Sequence, residues 1–178
     1  FKGGGDAASA ARAVCQTGDI DYAWNLQVEA TVLKPMVEAS DGKCKMSTSV
    51  SPNVERLLIN RSNPAAALGD KRGEPDQPHP FLSDLKVRQA LAKAVDRTPI
   101  AALYGPGLAG NASCNIFVGL DAYASKNTAS MDVCKYDIAA ANKLLDEAGA
   151  AKGADGIRVY KGTRMKILYQ TTVNTLRQ

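Results

Sequence analysis

A chain of 178 residues, 45% of them apolar and 22% charged, has the make-up of an ordinary globular domain able to bury a core. Its net charge of +4 comes from scattered Lys and Arg with no basic block, which argues against a nucleic-acid partner. No apolar run approaches the ~20 residues that a membrane-spanning helix needs.

The chain opens on Phe1-Lys2-Gly3-Gly4-Gly5-Asp6, which has no leader pattern. Phe1-Lys2 reads as the tail of a strand, and Thr172 to Gln178 as the opening turn of a helix, so the chain is expected to be a piece of a longer protein. Asp6 caps a first helix whose alanines (Ala7, Ala8, Ala10, Ala11, Ala13) allow close packing. Gly18 closes it where a left-handed residue is favoured. Gly18 to Asn25 then reads as a turn and a short strand. Val28 to Ala39 reads as a second helix with Val28, Val32, Met36 and Ala39 on one face and Pro35 set to kink or shorten it.

From Lys43 the apolar residues lie among Ser and Thr, as in strands, and Val54 to Asn60 is the strongest strand candidate. Residues 65–79 carry Gly69, Gly73, Pro75 and Pro78 with no period and read as a loop insertion. Ser83-Asp84 caps a central helix in which Val87, Leu91 and Ala94 recur at three- and four-residue steps. Asp96-Arg97 breaks it, and Thr98 is expected to cap a second short helix with Pro99 at its first position. Residues 108–131 are irregular. Asp137 then caps a helix with Ile138, Ala141, Leu144, Leu145 and Ala148 as its stripe and Gly149 as terminator. Asp155-Gly156 reads as a hairpin turn or a short loop. Arg164 to Gln170 alternates as a strand would, with Met165, Ile167 and Tyr169 on one side.

The chemistry-bearing residues are few. The single histidine, His79, sits in the Pro-rich loop without the partners that a catalytic or metal-bound imidazole needs. Asp155 stands alone where a calcium site would need several oxygens, so no metal is expected. Cys15, Cys44, Cys114 and Cys134 form no C-x-x-C pair, which leaves disulfides or free thiols. No nucleophile–base pair and no Gly-rich phosphate loop is found, so neither a catalytic site nor a cofactor is expected.

The wording of several stretches adds to this reading. The run Pro80-Phe81-x-x-Asp84-x-x-Val87-Arg88-Gln89-Ala90-Leu91-x-x-Ala94-x-Asp96-Arg97 resembles the signature of the family 5 extracellular solute-binding proteins, the peptide- and nickel-type receptors of bacterial ABC importers. Tyr136-Asp137-x-x-x-Ala141-x-x-Leu144-Leu145-x-x-Ala148-Gly149 is a second match, and Gly18-Asp19-Ile20-Asp21 and Ile59-Asn60-x-x-x-Pro64 are similar to the family's strand entry and exit. The resemblance implies an α/β fold: a periplasmic-binding-protein-like lobe with helices packed on a mixed β-sheet. Residues 1–178 would then be most of the C-terminal lobe of a two-lobed receptor. It implies a monomer exported to the periplasm that encloses a peptide or similar small solute between its lobes and delivers it to an inner-membrane permease, with no bond made or broken. A ligand-sensing lobe of a regulatory protein and a periplasmic enzyme on the same scaffold remain alternatives.

Carried over position by position, the resemblance implies ligand contacts at Trp24, Asn25, Leu26 and Gln27, at Asn53 and Arg56 on the next strand, and at Tyr104, Gly105 and Gly107 after the central helices. Arg56 and Leu58 stand where oligopeptide receptors place Tyr and Glu, so an anionic group near Arg56 is an option. Export, and the paired cysteines of relatives, imply a Cys114–Cys134 bridge closing the irregular segment. A Cys15–Cys44 bridge is the second expectation, joining the end of the first helix to the start of a strand.

Overall fold

The computed structural model describes residues 5–49, 53–103, 112–117, 119–120, 122–174 and 177. The described residues combine helices with one small sheet, an α/β composition, and their buried apolar side chains gather in two clusters.

The first cluster belongs to the N-terminal helices. Helix α1 (Ala7–Arg12) starts at Asp6, whose carboxylate accepts from the Ser9 amide at 2.8 Å, and passes into a π-helical turn over Ala13–Thr17. Gly18 ends it at φ 72°, in the left-handed region that glycine enters without steric cost. Helix α2 (Ala30–Glu38) is shorter than the periodicity predicts, because Val28 and Glu29 are not helical. Its packed face is also different: Ala30 and Leu33 are buried and Met36 and Val37 pack beside them, while Val32 and Ala39 are exposed. Pro35 sits within the helix and does not end it. Ala11, Val28 and Leu33 form the cluster's buried centre, and the Cys15–Cys44 disulfide (S–S 2.14 Å) ties its two ends.

The second cluster is built on the signature run. Helix α3 (Leu85–Ala94) is capped by Asp84, whose Oδ1 accepts from the amides of Lys86 at 2.8 Å and Val87 at 3.2 Å. Val87 is fully buried and Ala90 nearly so, whereas Ala94, expected on the same face, is exposed and the stem of Lys93 takes its place. Helix α4 (Arg97–Leu103) begins one residue before the expected cap: Asp96, not Thr98, supplies the capping oxygen, to the Thr98 amide at 3.2 Å. A carboxylate one residue before the helix does this without distorting Pro99, which lies in the first turn, where no amide partner is needed.

Helix α5 (Ile138–Glu147) packs on α3, capped by Asp137 through the Ala140 amide at 2.8 Å and ended by Gly149 at φ 78°. It leads into an antiparallel sheet of β1 (Ala150–Lys152), β2 (Arg158–Tyr160) and β3 (Thr163–Arg164) in the order β1-β2-β3. The turn at Asp155-Gly156 is a hairpin, closed by the Gly153 amide donating to the Ile157 carbonyl at 2.8 Å. Phe81, Leu82, Val87, Ala150 and Tyr160 form the buried centre between helix and sheet.

Three expected strands are not formed among the described residues. Asn25 adopts φ 56°, which turns the chain out of an extended path within residues 18–27. Residues 54–60 make no backbone ladder with any other described segment, and Leu58 is 81% exposed. The run from Arg164 leaves the sheet after Met165, whose amide still donates to the Arg158 carbonyl at 2.8 Å, because the Lys166 amide turns back to the Arg164 carbonyl at 2.9 Å and β2 has only three residues to pair. The mixed sheet expected from sequence is thus reduced to antiparallel pairs in the described part. Residues 65–79 contain a 3-10 turn over Ala66–Lys71 and are closed at their base by a bridge between Ser62 and Pro78. Phe1-Lys2 lies outside the described residues, as does part of the helical turn expected at the other end, where the Arg177 amide donates to the Asn174 carbonyl at 3.0 Å.

Candidate solute-contact surface

The π-helical turn and the Cys15–Cys44 bridge deliver the chain into residues 18–27, where side chains turn outward. Trp24, the chain's one tryptophan, is 78% exposed, and Tyr22 beside it is 74% exposed. An indole left in water is a stacking surface with one donor, suited to a ring, a peptide plane or an apolar side chain. Asn25 is also exposed, held at its left-handed φ. Leu26 packs against the N-terminal cluster and so fixes the segment, and Gln27 is half-buried.

Gln27 finds a distant partner: its Oε1 accepts from Asn174 Nδ2 at 2.7 Å. Three residues further on, Arg177 forms an ion pair with Glu55 through Nε and Nη2, and its Nη1 donates to Thr172 Oγ1 at 2.7 Å. Asn174 and Arg177 therefore tie the Trp24 segment and the Glu55-Arg56 segment to two nearby points of the chain. Asn53 and Arg56 are exposed on that second segment. Tyr104, Gly105 and Gly107, the third group expected to contact ligand, lie outside the described residues. The Gln27–Asn174 and Glu55–Arg177 contacts have no short-range signature, so nothing in the sequence could have located them.

Other polar groups hold the scaffold. Burial pushes the Asp84 carboxyl up, but the Tyr160 hydroxyl at 3.0 Å, the Val87 and Lys86 amides and the Lys161 charge outweigh this and keep it below the ordinary carboxylate range. Hydrogen bonding and charge from the Lys93 ammonium likewise lower Asp132. His79 lies in the loop but is buried there: its Nδ1 accepts from the amides of Leu82 at 3.0 Å and Phe81 at 3.3 Å, and burial lowers its pKa. The Cys114–Cys134 disulfide (S–S 2.04 Å) secures the irregular segment, and the Arg97 guanidinium reaches the Cys134 carbonyl at 3.4 Å. Among the described residues no group of three or more His, Cys, Asp or Glu is placed to hold a metal ion, and no helix is long and apolar enough to cross a membrane.

An exposed indole and an exposed guanidinium, on two segments tied to Asn174 and Arg177, are groups that can hold a solute by stacking and hydrogen bonds. The model of the bacterial extracellular solute-binding proteins, family 5 Middle, matches residues 1–178, and the chain belongs to this family. Comparison with curated proteins and with solved structures finds no match. Membership gives the chain a solute-binding role in transport and an exported setting, with which two disulfides agree.

Proposed function

We propose that residues 1–178 form most of the C-terminal lobe of a two-lobed periplasmic receptor, with a periplasmic-binding-protein-like fold, that captures a peptide or similar small solute for an ABC importer. The solute lies across Trp24, Asn25, Leu26 and Gln27 and reaches Asn53 and Arg56. Tyr104, Gly105 and Gly107 complete the contact from the segment after α4. Closure of the second lobe excludes water and strengthens each hydrogen bond. Release then passes the solute to a permease in the inner membrane. The protein works as a monomer, without cofactor and without catalysis.

The observation that carries this reading is the exposure of Trp24 on a segment that the Gln27–Asn174 contact and the Cys15–Cys44 bridge hold in place. A large apolar ring kept in water on a fixed backbone costs hydration free energy that a ligand recovers. Native mass spectrometry of the exported two-lobed protein is expected to show a small solute released on denaturation. A protein that carries no solute and takes up none from a peptide mixture would contradict the proposal.

A further inference from the structure

Residues 60–73 fold back to form a cleft of about 250 Å³ lined by Asn60, Ser62, Asn63, Pro64, Arg72 and Gly73. Its base is fixed by two backbone bonds, Asn63 donating to the Gln77 carbonyl and His79 to the Arg61 carbonyl, both at 2.7 Å. The orientation of the two amide side chains is set by their neighbours. Asn60 Oδ1 accepts from the Ser62 amide at 3.0 Å and from Ser62 Oγ at 2.8 Å, and Asn63 Oδ1 accepts from the Ala65 amide at 3.0 Å. A backbone amide can only donate, so each side chain must turn its oxygen to the backbone and keep its NH₂ group free for another acceptor. Arg72 adds a planar fork of donors, and among the described residues no carboxylate pairs with it. The cleft therefore presents donors from three side chains while the acceptor oxygens of its asparagines are engaged.

A surface of donors with one positive charge selects an anion, and a planar fork matches two coplanar oxygens. At roughly 30 Å³ per water the cleft holds about eight, which is room for a compact organic acid and less than a drug-sized ligand fills. We propose that this cleft binds a small carboxylate, with Arg72 gripping both oxygens and the Asn60 and Asn63 amides donating to the remaining lone pairs. It shares no residue with the solute-contact surface above and stands or falls separately from it.

The probe is acetate, titrated into the ¹⁵N-labelled chain at constant ionic strength, with chloride and inorganic phosphate as parallel arms. Saturable shifts of the Asn60 and Asn63 side-chain amide signals are expected, with a midpoint on the order of 1–10 mM. Arg72→Gln should raise that midpoint at least tenfold while the rest of the spectrum is unchanged, and Arg72→Lys should fall between, having charge without the fork. Shifts that grow linearly, that chloride reproduces, or that Arg72→Gln leaves intact would overturn the site. Saturation by phosphate but not by acetate would overturn the carboxylate assignment.

Discussion

The disulfides are expected to supply a large part of the stability of this chain. Cys15–Cys44 closes a loop of 29 residues and Cys114–Cys134 one of 20. The chain-entropy relation gives about 3.6 kcal/mol for the first and about 3.3 kcal/mol for the second. Together they come to about 7 kcal/mol, within the ~5–15 kcal/mol by which whole domains are stable. The first should matter most locally, because the cluster it staples has only Ala11, Val28 and Leu33 as its buried centre. Replacing each pair by serines, Cys15→Ser with Cys44→Ser and Cys114→Ser with Cys134→Ser, and unfolding in urea gives the assay. With a slope of about 2 kcal/mol per M, each double variant should lose between about 1 and 2 M in midpoint. The native chain, denatured without reductant, should show no free thiol. A shift below about 0.5 M for either pair would refute the loop-closure reasoning for that pair.

Three further outcomes follow from the scaffold. Arg158 is buried and donates to the Ala150 carbonyl at 2.5 Å, to Asp146 at 2.6 Å and to Asn142 Oδ1 at 2.9 Å, so Arg158→Met should cost about 3 kcal/mol in chemical denaturation, chiefly from the orphaned buried carbonyl. Asp84→Ala removes the α3 cap and the Tyr160 contact and should cost about 2 kcal/mol, whereas Asp84→Asn, which keeps a capping oxygen, should cost under about 1 kcal/mol. Because the folded His79 pKa lies below the ordinary 6.5, the unfolded chain binds the extra proton first, and stability should be full above that value and decline as pH falls below it. His79→Gln should flatten this slope between pH 7 and 5, and an unchanged slope would show that His79 is not its source.

What the sequence made legible was local. Asp6, Asp84 and Asp137 were readable as caps because capping is decided within three residues, and Gly18 and Gly149 as stops because only the backbone at those points is involved. The failures are non-local. Residues 54–60 have strand composition, but a strand needs a neighbour, and composition does not say whether one lies alongside. The packed face of α2 differs from the expected one because Val32 and Ala39 are as buriable as Ala30 and Leu33, and only the position of α1 decides between them. His79 lies in the loop as expected, but its burial beside the Phe81 ring, 4.5 Å away in an edge-on contact, has no local signal. At the candidate site, the family wording points to Trp24, which is exposed, while the ties through Asn174 and Arg177 span more than 100 residues, 147 and 122, and leave no pattern.

The central claim is that solute is enclosed between this chain and a second lobe, across Trp24 and Arg56. Calorimetric titration of one peptide into the two-lobed receptor, into its Trp24→Ala variant and into the isolated 178-residue chain tests this directly. The account expects a measurable affinity in the receptor, a loss of about thirtyfold on removing a buried aromatic anchor, and little or no binding to the chain alone. Equal affinity in the isolated chain and the receptor, or an unaffected Trp24→Ala variant, would contradict it.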